Sequence, residues 1–491
     1  LQGYAGTVSA VPGQQVPLYI SAVSAMRYDL AVYRIGWYQG LGSRRYFQAQ
    51  GLAAQPQGYW TATTGLVGCH SCTIDPTTHL IDAGWRVAFT LTIGRAWPSG
   101  VYLIKLVGAR HAETYIPLVV RDDHATTTVL ADIPVFTYQA YNLWGSYNLY
   151  ERQTGEDDYA GAQRAVKVSF NRPYDTRAAG SGDFLLWDIH TIRWLERSGA
   201  DVSYTTDSDV TQHPEQLLRH HVYLALGHGE YWTRAMYLGV QHARDQGVSL
   251  GFLGADDAYW QVRLAADRAG TPDRVVVCYK VQSRGGTAAT RLSADPMYRV
   301  APWLTTTRWR DPVLNRPEAE LLGLQYHSLI ARHTLPRWWV QIGPLDPLEE
   351  AAGLMPGEQL SGGILGYEYD GSGGAHTPAN LVILAASPVL NWYGQHDTAY
   401  TAYYRAPSGA LVFDAGTIWW AWGLDGTPIP GTGNIPRVAG NQTIARLTAL
   451  LLRAMASPAP PTPAPFPSPT APPPPFPAGC LNFCPPGRTF P

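Results

Sequence analysis

HVYLALGHGEYW, from His221 to Trp232, is an apolar run that ends in a Gly-His-Gly corner, followed by an acid and two aromatic residues. A helical pattern follows, TRAMYLGVQHARDQG (233–247), and then a second apolar run, VSLGFLG (248–254). Short apolar runs that alternate with amphipathic helices are typical of buried parallel strands. Because a right-handed crossover places two such strands side by side, we predict that these runs are neighbours in a parallel α/β sheet.

The residues after each run are predicted to lie at the carboxyl edge of the sheet, where open α/β sheets bind their ligands. His228, Glu230 and Tyr231 follow the first run, and Asp256 and Tyr259 follow the second. Phenol and carboxylate oxygens suit highly charged cations, and a cation there would polarise a carbonyl group or activate water. The pattern predicts a metal site at this corner, with His228, Glu230 and Asp256 as candidate catalytic residues.

A purely structural interpretation of the same corner stays open. Tyr231-Trp232 and Tyr259-Trp260 would then pack over the strand ends with their hydroxyl groups bonded to the backbone, and His228 would be a structural histidine. Asp207 and Asp209, which follow the run ADVSYTT (200–206), are expected at the same edge. The sequence contains no HExxH motif and no phosphate-binding loop, so neither of those chemistries is indicated.

The rhythm of the sequence divides the chain into three parts. Residues 1–121 are predicted to form an immunoglobulin-like β-sandwich, because short alternating runs are separated by turn residues at sandwich-like spacing. Strands alternate with helices over residues 122–456, which predicts an α/β domain with a parallel sheet. Residues 457–491 are a Pro-rich tail that contains a Cys pair, and its prolines favour polyproline II over helix or sheet.

The composition excludes some partners. The 491-residue chain has a formal net charge of -2, and charged residues make up 15% of it, where about a quarter is usual. This balance gives no electrostatic basis for binding nucleic acid, and no stretch reaches the roughly 18 apolar residues of a transmembrane helix. Few charges, many aromatic residues and a chain that begins at Leu1 lead us to expect a processed protein that is extracellular or at the cell surface.

Five cysteines indicate the redox environment. Cys69 and Cys72 form the motif CHSC, Cys480 and Cys484 form CLNFC, and Cys278 lies in an apolar run. Two close pairs predict two disulfides and a buried thiol in an oxidising compartment. A zinc site built from the two pairs is the alternative.

Motifs along nearly the whole chain before the tail resemble the large (beta) subunit of N,N-dimethylformamidase, in particular its C-terminal domain. They include YRIGWYQGLGSRR (33–45), YQAYNLWGSYNLY (138–150), GHGEYW (227–232), DDAYWQVR (256–263), CYK (278–280), RPEAELLG (316–323) and GTIWWAWGLD (416–425). The resemblance implies a sandwich followed by a domain similar to class I glutamine amidotransferases. It also implies a ferric iron ion held by two tyrosines and a glutamate, at the matching positions Tyr231, Tyr259 and Glu318, with Glu320 as the alternative glutamate.

Three positions depart from the family motif. Gly229 replaces the acid of the usual GHDEYW, Asp256 stands where Asn is usual, and Arg316 stands where the formamidase branch has His two positions before the metal-binding Glu. Changes beside a metal alter the support of its ligands. The resemblance therefore implies a site that keeps its ligand-type residues with altered neighbours.

Three functional hypotheses follow. The first is a secreted metal-dependent hydrolase of amide C–N bonds. The second is an extracellular filament or surface-layer subunit, a homo-oligomer or polymer whose Pro-rich tail docks on a neighbouring subunit, with the enzyme site degenerate. The third is a glycan-binding surface protein. Asn441, in the sequon Asn441-Gln442-Thr443, is a candidate glycosylation site or, alternatively, the N-cap of a helix.

Overall fold

The computed structural model describes residues 1–109, 112–152, 164–280, 292–332, 334–360, 363–429 and 439–457. The chain is β-rich and multidomain, with mainly antiparallel sheets in its first part, where only Ser9–Ala10 and Glu113–Val120 pair in parallel among the described strands, and a mixed sheet flanked by helices after them. The predicted tail (457–491), with Cys480 and Cys484, lies outside the described residues from 458 onward, so its docking and its disulfide stay predictions. Among the described helices, none combines the length and the apolar character needed to span a bilayer.

Two sheets in the first part pack over one apolar core. Their strands and the short hairpins beside them are β1 Gln2–Ala5, β2 Ser9–Ala10, β3 Gln15–Ser21, β4 Met26–Ile35, β5 Ser43–Ala54, β6 Tyr59–Thr61, β7 Gly65–Val67, β8 Thr73–Ile74, β9 Ile81–Asp82, β10 Val87–Thr92, β11 Gly100–Val107 and β12 Glu113–Val120. The sheet orders are β1-β3-β10 and β2-β12-β11-β4-β5. Alternate residues of β3 and β4, such as Leu18 and Leu30, are buried in the shared core. The immunoglobulin-like assignment and the boundary at residue 121 stay predictions.

A seven-stranded sheet forms the centre of the second part. The strands of this part are β13 Val129–Ile133, β14 Lys167–Ser169, β15 Val202–Thr206, β16 Val222–Ala225, β17 Tyr231–Thr233, β18 Ser249–Phe252, β19 Trp260–Ala265, β20 Val275–Val277, β21 Leu324–Leu329, β22 Glu368–Ser372, β23 Val382–Leu390, β24 His396–Arg405 and β25 Leu411–Asp414. The order of the large sheet is β15-β13-β16-β18-β25-β24-β23. As predicted, β16 and β18 are parallel neighbours. The amidotransferase-like assignment of this part stays a prediction.

The prediction of a parallel sheet is right for five strands and wrong for β23 and β24. These two strands run antiparallel to their neighbours. Only short loops separate β23 from β24 and β24 from β25, and short loops permit antiparallel pairing alone. The apolar run RVVVCYK (274–280) does not join this sheet, because its strand β20 lies in a separate four-stranded sheet of order β14-β20-β19-β17. There β17 pairs in parallel with β19, which sets Tyr231 opposite Trp260.

Helices connect and cover the strands of the second part. Within the described residues they are α1 Val135–Tyr141, α2 Asp188–Arg197, α3 Asp207–Gln212, α4 Arg234–Asp245, α5 Ala319–Leu322, α6 Pro347–Ala352, α7 Trp420–Leu424 and α8 Gln442–Met455. The predicted crossover helix is α4, and the Thr233 side chain caps it by accepting from the N–H of Met236. Asn441 caps α8 through the N–H groups of Thr443 and Ile444, while its glycosylation stays a prediction.

Partly buried ion pairs connect the first part to the second. Arg34 of β4 contacts Glu196 of α2 at 2.7 Å, and Arg121 contacts Asp209 at 2.5 Å. Asp209 also forms a capping box with Thr206 at the start of α3, so this carboxylate, expected at the ligand-binding edge, holds a helix end. Cys69 and Cys72 form the predicted disulfide, with a Cα–Cα distance of 5.3 Å, and Cys278 is a buried free thiol.

Candidate functional site

Two glycines allow the strand ends to meet at the corner. Gly227 follows β16 with φ of +62°, in the left-handed region that glycine tolerates without a steric penalty. A Cβ atom at Gly254, after β18, would lie 1.9 Å from the carbonyl oxygen of Gly227. Only glycine permits this approach of the two backbones, which brings the loops that carry His228 and Asp256 together.

His228, Asp256 and Glu368 form a buried cluster at this corner. One ligand atom from each residue lies within 4.8 Å of the others. The Nε2 atom of His228 is 3.2 Å from Glu368 Oε2 and 3.7 Å from Asp256 Oδ2, and Glu230 Oε2 is 3.5 Å from the same nitrogen. The predicted catalytic residues His228, Glu230 and Asp256 are therefore brought together, with Glu368 of β22 added.

Three carboxylates share one imidazole in this cluster. Among the described residues, Asp256 Oδ1 is buried without a hydrogen-bond partner, and His228 Nε2 and Glu368 Oε2 face each other at 3.2 Å in an alignment too poor to satisfy either atom. Burial raises the pKa of Asp256 well above its ordinary value, and the carboxylates of Glu230 and Glu368 raise it further. Burial lowers the pKa of His228, but the surrounding carboxylates outweigh it, so the net pKa lies well above the usual value. Because one imidazole faces three carboxylates, a bound cation would balance the charge of the ionised cluster.

Tyrosine hydroxyl groups hold Glu230 in place. The hydroxyl group of Tyr141 donates to Glu230 Oε2 at 2.8 Å, and that of Tyr150 donates to Glu230 Oε1. Tyr231 in turn donates to the Tyr150 hydroxyl at 2.6 Å. Burial raises the pKa of both Tyr150 and Tyr231 well above the usual value, so both carry their protons at neutral pH. Hydrogen bonds between hydroxyl groups therefore connect Glu230, through Tyr150, to Tyr231.

Lys280 places a buried amine beside this chain. Its Nζ lies 3.1 Å from the ring centroid of Tyr150 and about 5 Å from the rings of Tyr231 and Trp260. Burial lowers the pKa of Lys280 to about 7, although Glu230 opposes that shift. An amine with this pKa gains and loses a proton near neutral pH, as a general acid or base requires.

The residues that the resemblance implies for iron have other partners. Both carboxylate oxygens of Glu318 accept from Nε of Arg310, at 3.1 and 2.9 Å. The Arg310 guanidinium also lies 5.2 Å from the ring centroid of Tyr259, whereas Tyr231 is bonded to Tyr150. A cation at Glu318 would have to displace a guanidinium, so this arrangement fits iron less well than the His228 cluster does. The iron set of Tyr231, Tyr259 and Glu318 stays a prediction, and Glu320 pairs at the surface with His376 at 2.8 Å.

The departures from the family motif have structural counterparts. A Cβ atom at Gly229 would lie 2.3 Å from Asp257 Oδ1, which instead accepts the Gly229 N–H at 2.9 Å. The carboxylate of Asp257 therefore occupies the space that an acid at 229 would need. Asp256 has φ of +59°, a conformation that Asp and Asn both tolerate, which explains why either residue fits there. Arg316 contacts Gln241 at 3.1 Å.

Sequence reasoning missed part of the site. Glu368 lies on β22, outside the parallel strands, so the rule about carboxyl edges does not reach it. Tyr141 and Tyr150 were present in YQAYNLWGSYNLY, and Lys280 in CYK, but only as marks of resemblance. Lys280 could have been identified from the sequence, because it ends an apolar run of the kind that is buried, and lysine is rarely buried unpaired.

The sequence also contains a GxSxG pattern, but its serine is not placed to act as a nucleophile. GVSLG (247–251) matches the GxSxG motif, but Ser249 lies inside the buried strand β18 rather than on a turn into a helix. Its hydroxyl group donates to the carbonyl oxygen of Met455 at 2.9 Å. This serine therefore joins β18 to the end of α8.

The family "N,N-dimethylformamidase beta subunit-like, C-terminal" matches residues 29–434, well over half of the chain. The chain belongs to this family, which relates it to formamidase-type hydrolases. No curated protein matches the chain.

Proposed function

We propose that the chain hydrolyses the C–N bond of a linear amide at the corner formed by His228, Asp256 and Glu368, with a metal ion as cofactor. The observation that carries the proposal is this buried cluster, whose ligand atoms lie within 4.8 Å of one another and keep unpartnered polar atoms among the described residues. Membership of a formamidase-like family supports the reaction class. The residues fit a cation because one nitrogen and several oxygens of mixed hardness suit iron, manganese or zinc.

A cation held by His228, Asp256 and Glu368 would polarise the amide carbonyl and stabilise the charge that develops on its oxygen. Glu230 lies 3.5 Å from His228 and takes the proton that water loses as its oxygen bonds to the carbonyl carbon. The tyrosine hydroxyls of Tyr141 and Tyr150 keep the Glu230 carboxylate oriented for this task.

The leaving amine needs a proton as the C–N bond breaks. Lys280 is suited to supply it, because burial lowers its pKa to about 7 and its Nζ lies over the ring of Tyr150, which is bonded to Glu230. Glu230 then releases the proton it gained to solvent water, and Lys280 takes up one proton from water, so that both groups return to their starting states. The products are one carboxylic acid and one amine, which balances the addition of water.

The experiment measures bound metal and amide hydrolysis in the same preparations. Purified protein is expected to contain about one metal ion per chain and to release ammonia from formamide and dimethylamine from N,N-dimethylformamide. E368Q and D256N are expected to lose both the metal and the activity. The matched controls are H213A and E215Q, since His213 and Glu215 form an exposed pair with the same 3.2 Å contact as His228 and Glu368. Metal-free protein with full amidase activity would overturn the proposal.

We also infer that the protein works outside the cytosol. The Cys69–Cys72 disulfide supports this location, because such bonds persist in oxidising compartments. Fractionation of the native source, with detection of the intact disulfide by mass spectrometry after alkylation, tests it. Reduced Cys69 and Cys72 in freshly isolated protein would contradict an extracellular location.

A further inference from the structure

A second concave site lies at the far end of β19 from the corner. The strand begins at Trp260, opposite Tyr231, and ends at Ala265, so about 16 Å of extended chain separates its ends. A cleft of about 640 Å³ opens there, between the outer face of the three-stranded sheet and the loop that follows β19. This volume lies within the range of small-molecule sites.

Aromatic residues form one wall of the cleft. Tyr19 of β3 pairs across the strands with Tyr4 of β1, and their rings stack at 4.6 Å with an interplanar angle of 7°. Trp85 packs against Tyr4 at 5.7 Å. Tyr4 and Trp85 are buried, whereas Tyr19 is half-buried, so Tyr19 is the aromatic surface that this wall offers.

Polar groups held by one another form the opposite wall. The amide nitrogen of Asn171 donates to Asp82 Oδ2 at 3.2 Å and to Asp267 Oδ2 at 2.8 Å, and its oxygen accepts from Arg274 at 2.9 Å. The other oxygen of Asp267 accepts the N–H of Thr271 at 2.8 Å. Ala269 N–H also donates to that oxygen, at 2.9 Å. These bonds fix both carboxylates, and Asp267 Oδ2 and both Asp82 oxygens each keep a further lone pair for a ligand donor.

The disulfide stiffens the rim of the cleft. Ser71, between Cys69 and Cys72, lines the cleft, and the indole N–H of Trp85 donates to Cys69 Sγ at 3.4 Å. Because both walls are held before a ligand arrives, little ordering is left to oppose binding.

The chemistry of the two walls selects a neutral, hydroxyl-rich ligand. Two carboxylates, Asp82 and Asp267, are offset by Arg268 and Arg274, so the lining carries no net charge. Carboxylate oxygens need O–H or N–H donors, and the Tyr19 ring needs an apolar face. A sugar ring has hydroxyl groups around its edge and an apolar C–H face. A proline-rich segment such as residues 458–491 offers apolar rings but few N–H donors, so it would leave the carboxylates unpaired.

From this match we propose that the cleft binds a neutral oligosaccharide, with Tyr19 stacking on one sugar ring and Asp82 and Asp267 accepting its hydroxyl groups. The inference goes beyond the amide hydrolysis proposed above and does not rest on it, because the two sites share no side chain. Its role is to hold the protein on a glycan surface.

Calorimetric titration of the full-length protein tests the site, with neutral tetrasaccharides of β-1,4-glucose, N-acetylglucosamine, mannose and xylose as probes. At least one is expected to bind with a Kd of millimolar or better. Y19A and D267N are expected to weaken that binding at least tenfold, while Y19F, which keeps the ring, binds normally. The control is Y393A, since Tyr393 is exposed and lies outside the cleft.

Three results would overturn the proposal. The first is failure of every tetrasaccharide to bind, and the second is equal binding by Y19A and parental protein. The third is binding of a synthetic peptide of residues 457–474, in place of sugar, by the parental protein but not by Y19A. Unchanged urea unfolding of Y19A and D267N excludes misfolding as the cause of a loss. Metal content and amide hydrolysis are expected to stay unchanged in Y19A, so failure of the amidase proposal is scored separately.

Discussion

Glu318 and Glu368 are both buried glutamates, yet only one of them faces a guanidinium. Both oxygens of Glu318 accept from Arg310, whereas Glu368 Oε2 faces the imidazole of His228 at 3.2 Å. Other buried carboxylates are paired with arginines in the same way as Glu318, since Asp295 pairs with Arg263 and Asp425 with Arg193. The chain pairs structural carboxylates with guanidinium groups, whereas at the corner a single imidazole faces three carboxylates, an arrangement that suits a bound cation.

The largest effect on stability is expected when the Arg310 guanidinium beside Glu318 is removed. R310M leaves the buried Glu318 carboxylate unpaired and should lower the free energy of unfolding by about 3–5 kcal/mol. Urea denaturation measures this. The control is K105M, which breaks the partly exposed pair of Lys105 with Glu113 and should cost less than about 1 kcal/mol. If R310M costs as little as K105M, Glu318 does not depend on its guanidinium.

Adding a cation should stabilise the corner and leave the Glu318 pair unaffected. A divalent metal at a hundredfold excess over its Kd is expected to raise the free energy of unfolding by about 2.7 kcal/mol, because it binds the folded chain only. Thermal unfolding of chelator-treated protein, titrated with manganese, zinc or ferrous iron, measures the shift. D256N should lose this response and E215Q should keep it. Equal stabilisation of D256N would place the cation elsewhere.

A buried carboxylate that lacks a cation should instead keep its proton. Burial raises the pKa of Asp188 to about 7, and Tyr138 donates to its carboxyl group. The folded chain thus binds more protons than the unfolded chain between about pH 4 and 7, so this contribution to stability is present below pH 4 and is lost as the pH rises toward 7. D188N should flatten that part of the pH profile by at least about 1 kcal/mol. A profile parallel to the parental one would contradict the shifted pKa.

The smallest effect is a change in the free energy of unfolding that should have opposite signs for substitutions of Glu368 and Glu318. In metal-free protein E368Q removes a like charge from the cluster and should raise the free energy of unfolding by about 1 kcal/mol. E318Q removes the charge that Arg310 needs and should lower it. Parallel urea denaturation of the two variants after chelation measures both. A loss of stability in metal-free E368Q would show that its charge is already compensated.

The strands around the corner could be predicted because their signal is local. Apolar runs on either side of α4 fix β16 and β18 as parallel neighbours, and the edge rule then brings His228, Glu230 and Asp256 together. The antiparallel pairing of β23 and β24 depends on short loops rather than on apolar runs, and it was missed.

Contacts between distant segments could not be predicted from local pattern. Glu368 reaches the cluster from β22, more than a hundred residues after Asp256, and Arg310 reaches Glu318 through side-chain packing. A resemblance supplies ligand-type residues, but the partner that each carboxylate meets is fixed only by the folded chain. The Pro-rich tail, the Cys480–Cys484 pair and assembly stay predictions from the sequence.

Elemental analysis of parallel preparations tests the central claim most directly. Parental protein, E368Q, D256N and the double variant Y231F/Y259F are purified together, and bound metal is measured by inductively coupled plasma mass spectrometry. The account predicts about one metal ion per chain in the parental protein and in Y231F/Y259F, and none in E368Q or D256N. Metal retained in E368Q but lost in Y231F/Y259F would contradict it and would assign the ion to the tyrosines.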